Sequence, residues 1–142
     1  SEKKYPKKIY IDRSDSRSNV SSMRSIINEA EVKEFLKNEG FTFLRLSDLK
    51  FEEQVQYFNH ADYIIGLHGA GFANLSFCKP KTKVLEFRNK ATGKMYENLA
   101  KLNNLLFESI IPETTQNEFM QLGHIEVPIT ILKEKIKNVK KY

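Results

Sequence analysis

Apolar and polar positions change period several times along the chain, and each change marks an element. Residues 8–12, Lys-Ile-Tyr-Ile-Asp, read as a short strand, and residues 41–46, Phe-Thr-Phe-Leu-Arg-Leu, alternate as a second. Residues 63–67, Tyr-Ile-Ile-Gly-Leu, are a continuous apolar run suited to a strand buried on both faces. Residues 83–87 and 105–111 supply a fourth and a fifth strand. Between strands the period lengthens. Val32, Phe35 and Leu36 share one face of a helix over residues 29–38, with Gly40 as its stop. Asn28 and Glu31 have the spacing of a capping box for that helix. Phe51, Val55 and Phe58 lie on one side of a second helix ending near His60. A short helix from about Ala70 stops before Pro80, and a helix over residues 95–103 packs through Tyr96, Leu99 and Leu102. The last helix has Pro128 in its first turn and runs through Leu132, Ile136 and Val139.

Strands separated by helices of about ten residues predict a parallel sheet with right-handed crossovers. The fold class is therefore α/β, a Rossmann-like three-layer sandwich with a mainly parallel sheet. At 142 residues the chain fits one domain, residues 1–142, with residues 1–7 expected to be flexible and the Ser/Asp/Asn-rich residues 14–22 a loop. It opens on Ser1 rather than methionine, so it is expected to be an excerpt of a longer protein.

Charge changes the picture less than its total suggests. The net +5 is carried by four lysines in residues 1–8 and five in residues 133–142; the stretch between holds 14 basic and 16 acidic residues. No basic face interleaved with stacking aromatics runs through the body, so nucleic acid is not an expected partner. The lysine-rich ends suit solvent or a weak contact with an anionic membrane surface. No run reaches the roughly 18 apolar residues of a membrane span. Cys78 is the only cysteine, next to Phe77, and reads as a small apolar residue in a reducing compartment.

Candidate chemistry gathers in one place. Three of six glycines, Gly66, Gly69 and Gly71, fall around His68 directly after the third strand. Glycine serves where the backbone needs positive φ or where something must come too close for a Cβ. A strand ending in glycines that open a helix presents backbone N–H groups and a positive helix end to an anion such as phosphate. His68 can donate to a phosphate oxygen, and Asn74 follows one turn on. Arg13 follows the first strand and Arg24 precedes the first helix, both on the carboxyl rim of the sheet where ligands of such folds bind. The plainer reading stands beside this one: glycines that only permit a tight turn, and arginines that decorate a polar loop as Arg17 does. The motif is neither a dinucleotide fingerprint nor a Walker A loop. Glu86 either reaches a ribose or bonds to neighbouring backbone. Asp12 and Asp15 read as turn residues, and His60 and His124 as surface or satisfied histidines. No carboxylate cluster suited to a divalent ion occurs, so no metal is expected.

Taken together, residues 9–13 (IYIDR), 23–41 (MRSIINEAEVKEFLKNEGF), 51–87 and the late Tyr96 to Asn104 resemble glycosyltransferase family 61. The family pattern has an Arg after the first strand, an Arg-x-Ile-x-Asn-Glu stretch, Gly-x-His-Gly-Ala-Gly-x-x-Asn and a Val-x-Glu strand. Here these are Arg13; Arg24 with Asn28 and Glu29; Gly66 through Gly71 with Asn74; and Val84 with Glu86. Lys81 and Phe72 depart from residues common in the family, and only one basic residue, Arg24, precedes Ile26.

The resemblance implies the C-terminal, donor-holding half of a GT-B enzyme that transfers a sugar from a nucleotide-sugar to a glycan acceptor with inversion. It implies a missing N-terminal acceptor domain and a fragment of little activity alone. His68, Arg24 and Glu29 are the expected catalytic residues, with Glu29 either base or helix cap. Arg13, Arg24, Asn28, His68, Gly69, Ala70, Gly71, Asn74 and Glu86 are the expected donor contacts. The Lys-, Asn- and Ile-heavy composition suggests an AT-rich bacterial genome, hence cytoplasmic capsule or lipopolysaccharide synthesis peripheral to the inner membrane. A non-catalytic nucleotide-sugar-binding or scaffolding domain is the alternative, and a dinucleotide-dependent oxidoreductase a third.

Overall fold

The computed structural model describes residues 4–13, 25–112 and 124–139. Arg24, Asp15, Arg17 and the loop expected over residues 14–22 lie outside these. Among the described residues the elements run β1 (Lys8–Ile11), α1 (Glu29–Asn38), β2 (Thr42–Leu44), α2 (Phe51–His60), β3 (Tyr63–Leu67), a 3-10 helix (Ala70–Phe77), β4 (Lys83–Phe87), α3 (Met95–Leu102), β5 (Leu106–Ile110) and α4 (Ile129–Val139). The strands form one sheet in the order β2-β1-β3-β4-β5, all parallel. The α/β, Rossmann-like expectation is met.

Alternation along the buried strands sorts their side chains between two layers. Tyr10, Ile65, Leu85 and Phe87 pack with Val32 and Leu36 of α1 and Leu132 and Ile136 of α4. Ile9, Ile11, Ile64 and Val84 pack instead with Phe58 of α2, Phe72 and Leu75 of the 3-10 helix, and Tyr96 and Ala100 of α3. The sheet is thus covered on both faces, as apolar parallel strands require.

Local signals set most boundaries. α1 ends in a Schellman motif: the Gly40 N–H donates to the Lys37 carbonyl (3.1 Å) and the Phe41 N–H to that of Leu36 (3.0 Å). Gly40 has φ of +87° and open space where a Cβ would stand. Gly40→Ala should therefore cost ~1–2 kcal/mol through backbone strain alone, read as a lower chemical-denaturation midpoint. α3 closes the same way with Asn104 (φ 58°) in the left-handed position.

Several expectations need correction. β2 is shorter than residues 41–46, because the chain turns into a 3-10 segment at Leu46–Asp48. Phe51 is exposed, touching Phe77 edge-on, and Leu102 is 83% exposed, so α2 and α3 pack through Phe58 and through Tyr96 and Ala100. The short helix expected from about Ala70 is present, and it is a 3-10 helix. Phe72, Leu75 and Cys78, all buried, recur every third residue, the period of that tighter helix. Burial pushes the Cys78 thiol up to about 12, in keeping with a packing role. Residues 4–7 are held against the domain, with Tyr5 against Tyr57 and His60, and Asp62 and Tyr63 donating to the Lys7 carbonyl. Among the described residues no helix is long and apolar enough to cross a membrane.

Candidate functional site

The chain leaves β1 outward to β2 and returns across it to β3, so the segments after β1 and β3 diverge at their carboxyl ends. Sheets of this type hold ligands at such a switch point. Arg13 stands two residues past β1 and His68 one past β3. The His68 N–H still belongs to the sheet, donating to the Phe87 carbonyl at 2.8 Å. Its carbonyl accepts from Arg13 Nη1 at 2.9 Å, so the guanidinium bridges the crevice.

That bridge explains one glycine. A Cβ on Gly69 would lie 2.7 Å from Arg13 Nη1 and 3.0 Å from its Cζ. Gly69 is extended (φ 172°, ψ 175°), a conformation open to any residue, so space rather than backbone freedom calls for glycine there. A Cβ on Gly71 would meet Leu46 Cδ1 at 2.9 Å, and one on Gly66 would meet Ile11 Cβ at 3.2 Å. The protein's own groups come close, and at Gly69 the group is a cation. The first turn of the 3-10 helix still begins here, with the Phe72 N–H donating to the Gly69 carbonyl at 3.0 Å and Ala70 and Gly71 between them.

Behind His68 lies Glu86. The two are 5% and 1% exposed, and His68 Nδ1 is 2.7 Å from Glu86 Oε2. The β3–β4 register sets Gly66 opposite Glu86, so no side chain on the neighbouring strand competes for the carboxylate's space. Glu86 Oε1 is 3.6 Å from Nε of the buried Arg88, whose Nη1 donates to the Thr92 carbonyl at 3.0 Å. Burial raises the Glu86 carboxyl to about 7; Arg88 works against the rise and Glu97 adds to it. Glu86, weighed as a ribose contact or a partner of neighbouring backbone, is paired with the histidine. Tyr96 completes the group, its ring centroid 4.9 Å from that of His68.

Other expected residues sit elsewhere. Asn28 precedes α1 but caps nothing with its side chain. Its amide clasps the backbone of Val127, Nδ2 donating to the carbonyl at 2.8 Å and Oδ1 accepting from the N–H at 2.9 Å, and this corrects the capping-box reading. Glu29 accepts from the Tyr10 hydroxyl at 3.1 Å and lies 3.8 Å from Lys33, which also binds Asp12 at 2.9 Å. Asp12 is therefore ion-paired rather than a plain turn residue. This network belongs to the layer of α1, across the sheet from His68. Asn74 Nδ2 donates to Gln54 of α2 at 3.0 Å. Ser25 caps His124, and His60 stacks on Tyr5, as satisfied histidines. Among the described residues no three His, Cys, Asp or Glu side chains converge as a metal's ligands would.

Arg88 and Tyr96 were not expected here. Arg88 shares the parity of Glu86 and so its face, a signal the sequence carried. Tyr96 read as helix packing because helical spacing reports the ring and not its hydroxyl. A separate cleft of about 820 Å³ lies past β5, walled by Ile27, Ile111, Pro128 and Ile131, with Asn28 and Glu31 on its side; it does not reach His68.

Compared with known proteins, the sequence matches the profile described as Glycosyltransferase 61 over residues 1–85, more than half its length. The chain belongs to glycosyltransferase family 61. Its similar relatives include the EGF domain-specific O-linked N-acetylglucosamine transferases of Rattus norvegicus, 30% identical over 89 residues, and Gallus gallus, 31% over 87. The rat alignment takes in 59% of this chain and 17% of the rat protein, the chicken one 58% and 16%. The corresponding protein of Mus musculus is 31% identical over 87 residues. This chain thus spans a small part of the length of the curated relatives it matches. The matched segment carries Arg13, His68 and Gly69 but stops one residue short of Glu86.

Proposed function

We propose that this domain holds the diphosphate of a nucleotide-sugar and serves as the donor half of an inverting glycosyltransferase. The observation that carries the reading is the Arg13 guanidinium lying over Gly69 at the switch point, beside a buried His68–Glu86 pair. Sugar transfer leaves negative charge on the departing diphosphate, and fixed cations and N–H donors in a cleft stabilise it without reorganising. Arg13, His68 through Nε2, and the amides of Gly69, Ala70 and Gly71 take that role. Arg24 joins them on the strength of the family pattern.

Asn28 and Glu29 shape the rim, and the base that deprotonates the acceptor hydroxyl comes from the rest of the longer protein. Positive charge comes from the chain, so no divalent ion is required. N-acetylglucosamine is the sugar to try first, from the relatives' names. Family membership supports a glycan acceptor, and the Lys-, Asn- and Ile-heavy composition supports placing it in cytoplasmic bacterial surface-polysaccharide synthesis.

A calorimetric panel tests the reading. Uridine or guanosine diphosphate should bind in the presence of chelator, and NAD should not; tighter NAD binding would replace the reading with an oxidoreductase. Sugar transfer by the full-length protein separates enzyme from the alternative, a non-catalytic binding domain.

A further inference from the structure

The side chain of Tyr96 does more in this structure than packing requires. The residue is 8% exposed, its ring 4.9 Å from that of His68 at 56° and 5.7 Å from that of Phe72. Every fully buried side-chain nitrogen or oxygen among the described residues has a hydrogen-bond partner. The Tyr96 hydroxyl has none among them, so it must be the part of the side chain that meets solvent. A phenylalanine would fill the same space, so what tyrosine adds is a polar tip turned to solvent on a ring that packs against His68.

We propose that the Tyr96 hydroxyl is a binding group of the His68 site, donating a hydrogen bond to an oxygen of the ligand's diphosphate. The inference rests on the donor reading above and adds a residue to it. The ring fixes where the hydroxyl stands, because it is wedged between His68 and Phe72 at the start of α3. Burial and the nearby Glu86 push the phenol's pKa up, with Arg13 opposing, so the group stays protonated and donates.

The test titrates inorganic pyrophosphate into the full-length protein and three variants, with a thermal melt of each. Tyr96→Phe keeps the ring and should weaken binding roughly tenfold with an unchanged melt, the loss expected for one hydrogen bond to a charged group. Tyr96→Leu, which also removes the wedge behind His68, should lower both affinity and melting temperature. His68→Ala serves as the reference for the site. If Tyr96→Phe binds like the wild type while His68→Ala binds weakly, the hydroxyl is idle and the inference fails alone. If the wild type does not bind pyrophosphate, the inference falls together with the donor reading.

Discussion

Gly69→Ala should weaken binding of uridine diphosphate roughly 100-fold while leaving the thermal melt nearly where it was. The new methyl would stand 2.7 Å from Arg13 Nη1, well inside contact distance. What must give way is the end of a long flexible side chain, so folding loses little. Binding loses the guanidinium from its place over the 3-10 turn, together with its 2.9 Å bond to the His68 carbonyl. A displaced arginine forfeits its charge-assisted contact with the diphosphate, and one such bond is worth ~1.5–3 kcal/mol, or about 10- to 150-fold. Arg13→Ala should cost about as much, and the double variant little more than either alone. An unaltered affinity in Gly69→Ala would show that the guanidinium's seat plays no part in binding.

The second large effect is one of pH. The His68–Glu86 pair can hold two protons or one. With two, Nδ1 and Oε2 share one and Nε2 carries the other, so Nε2 can donate to phosphate. With one, the proton sits between Nδ1 and Oε2 and Nε2 presents a lone pair. Burial lifts the Glu86 carboxyl from 4.5 to about 7, which keeps the two-proton form to neutral pH. Above about pH 7 the affinity for uridine diphosphate should fall towards tenfold per pH unit, on one-proton linkage. Glu86→Gln cannot titrate, so the difference between the two profiles isolates the pair from the ligand's own ionisation.

Stability follows the same carboxyl with the opposite partner. Between about pH 4.5 and 7 the folded chain holds a proton that the unfolded chain has released. Stability therefore falls across that window as pH rises, by on the order of 3 kcal/mol, and is level above it. The glutamine variant should lack this fall. Parallel profiles for wild type and variant would rule out a titrating Glu86.

Elements with a strong local signal were legible in the sequence. The uninterrupted apolar run gives β3 its bounds, and the Gly40 stop gives α1 its end. The Ala70–Phe77 segment read only as a short helix, with no type, because over eight residues periods of 3 and 3.6 are hard to tell apart. Phe51 and Leu102 looked like core because spacing cannot show where a helix face runs out of partners. In the site, the rim positions of Arg13 and His68 followed from strand order. The Arg13–Gly69 contact did not, since it joins segments 56 positions apart. Asn28 was misread for the same reason: a local capping pattern lost to Val127, 99 residues on.

That clasp sets an order of events during synthesis. Ile26 bridges Ile125, and Asn28 holds Val127, so the entrance to α1 is finished only by residues that leave the ribosome near the end of this segment. Until they arrive, Val32 and Leu36 lack the cover of Leu132 and Ile136. A chain cut between β5 and residue 124 would keep its crevice residues yet leave an oily flank open to solvent, a target for chaperones and proteases.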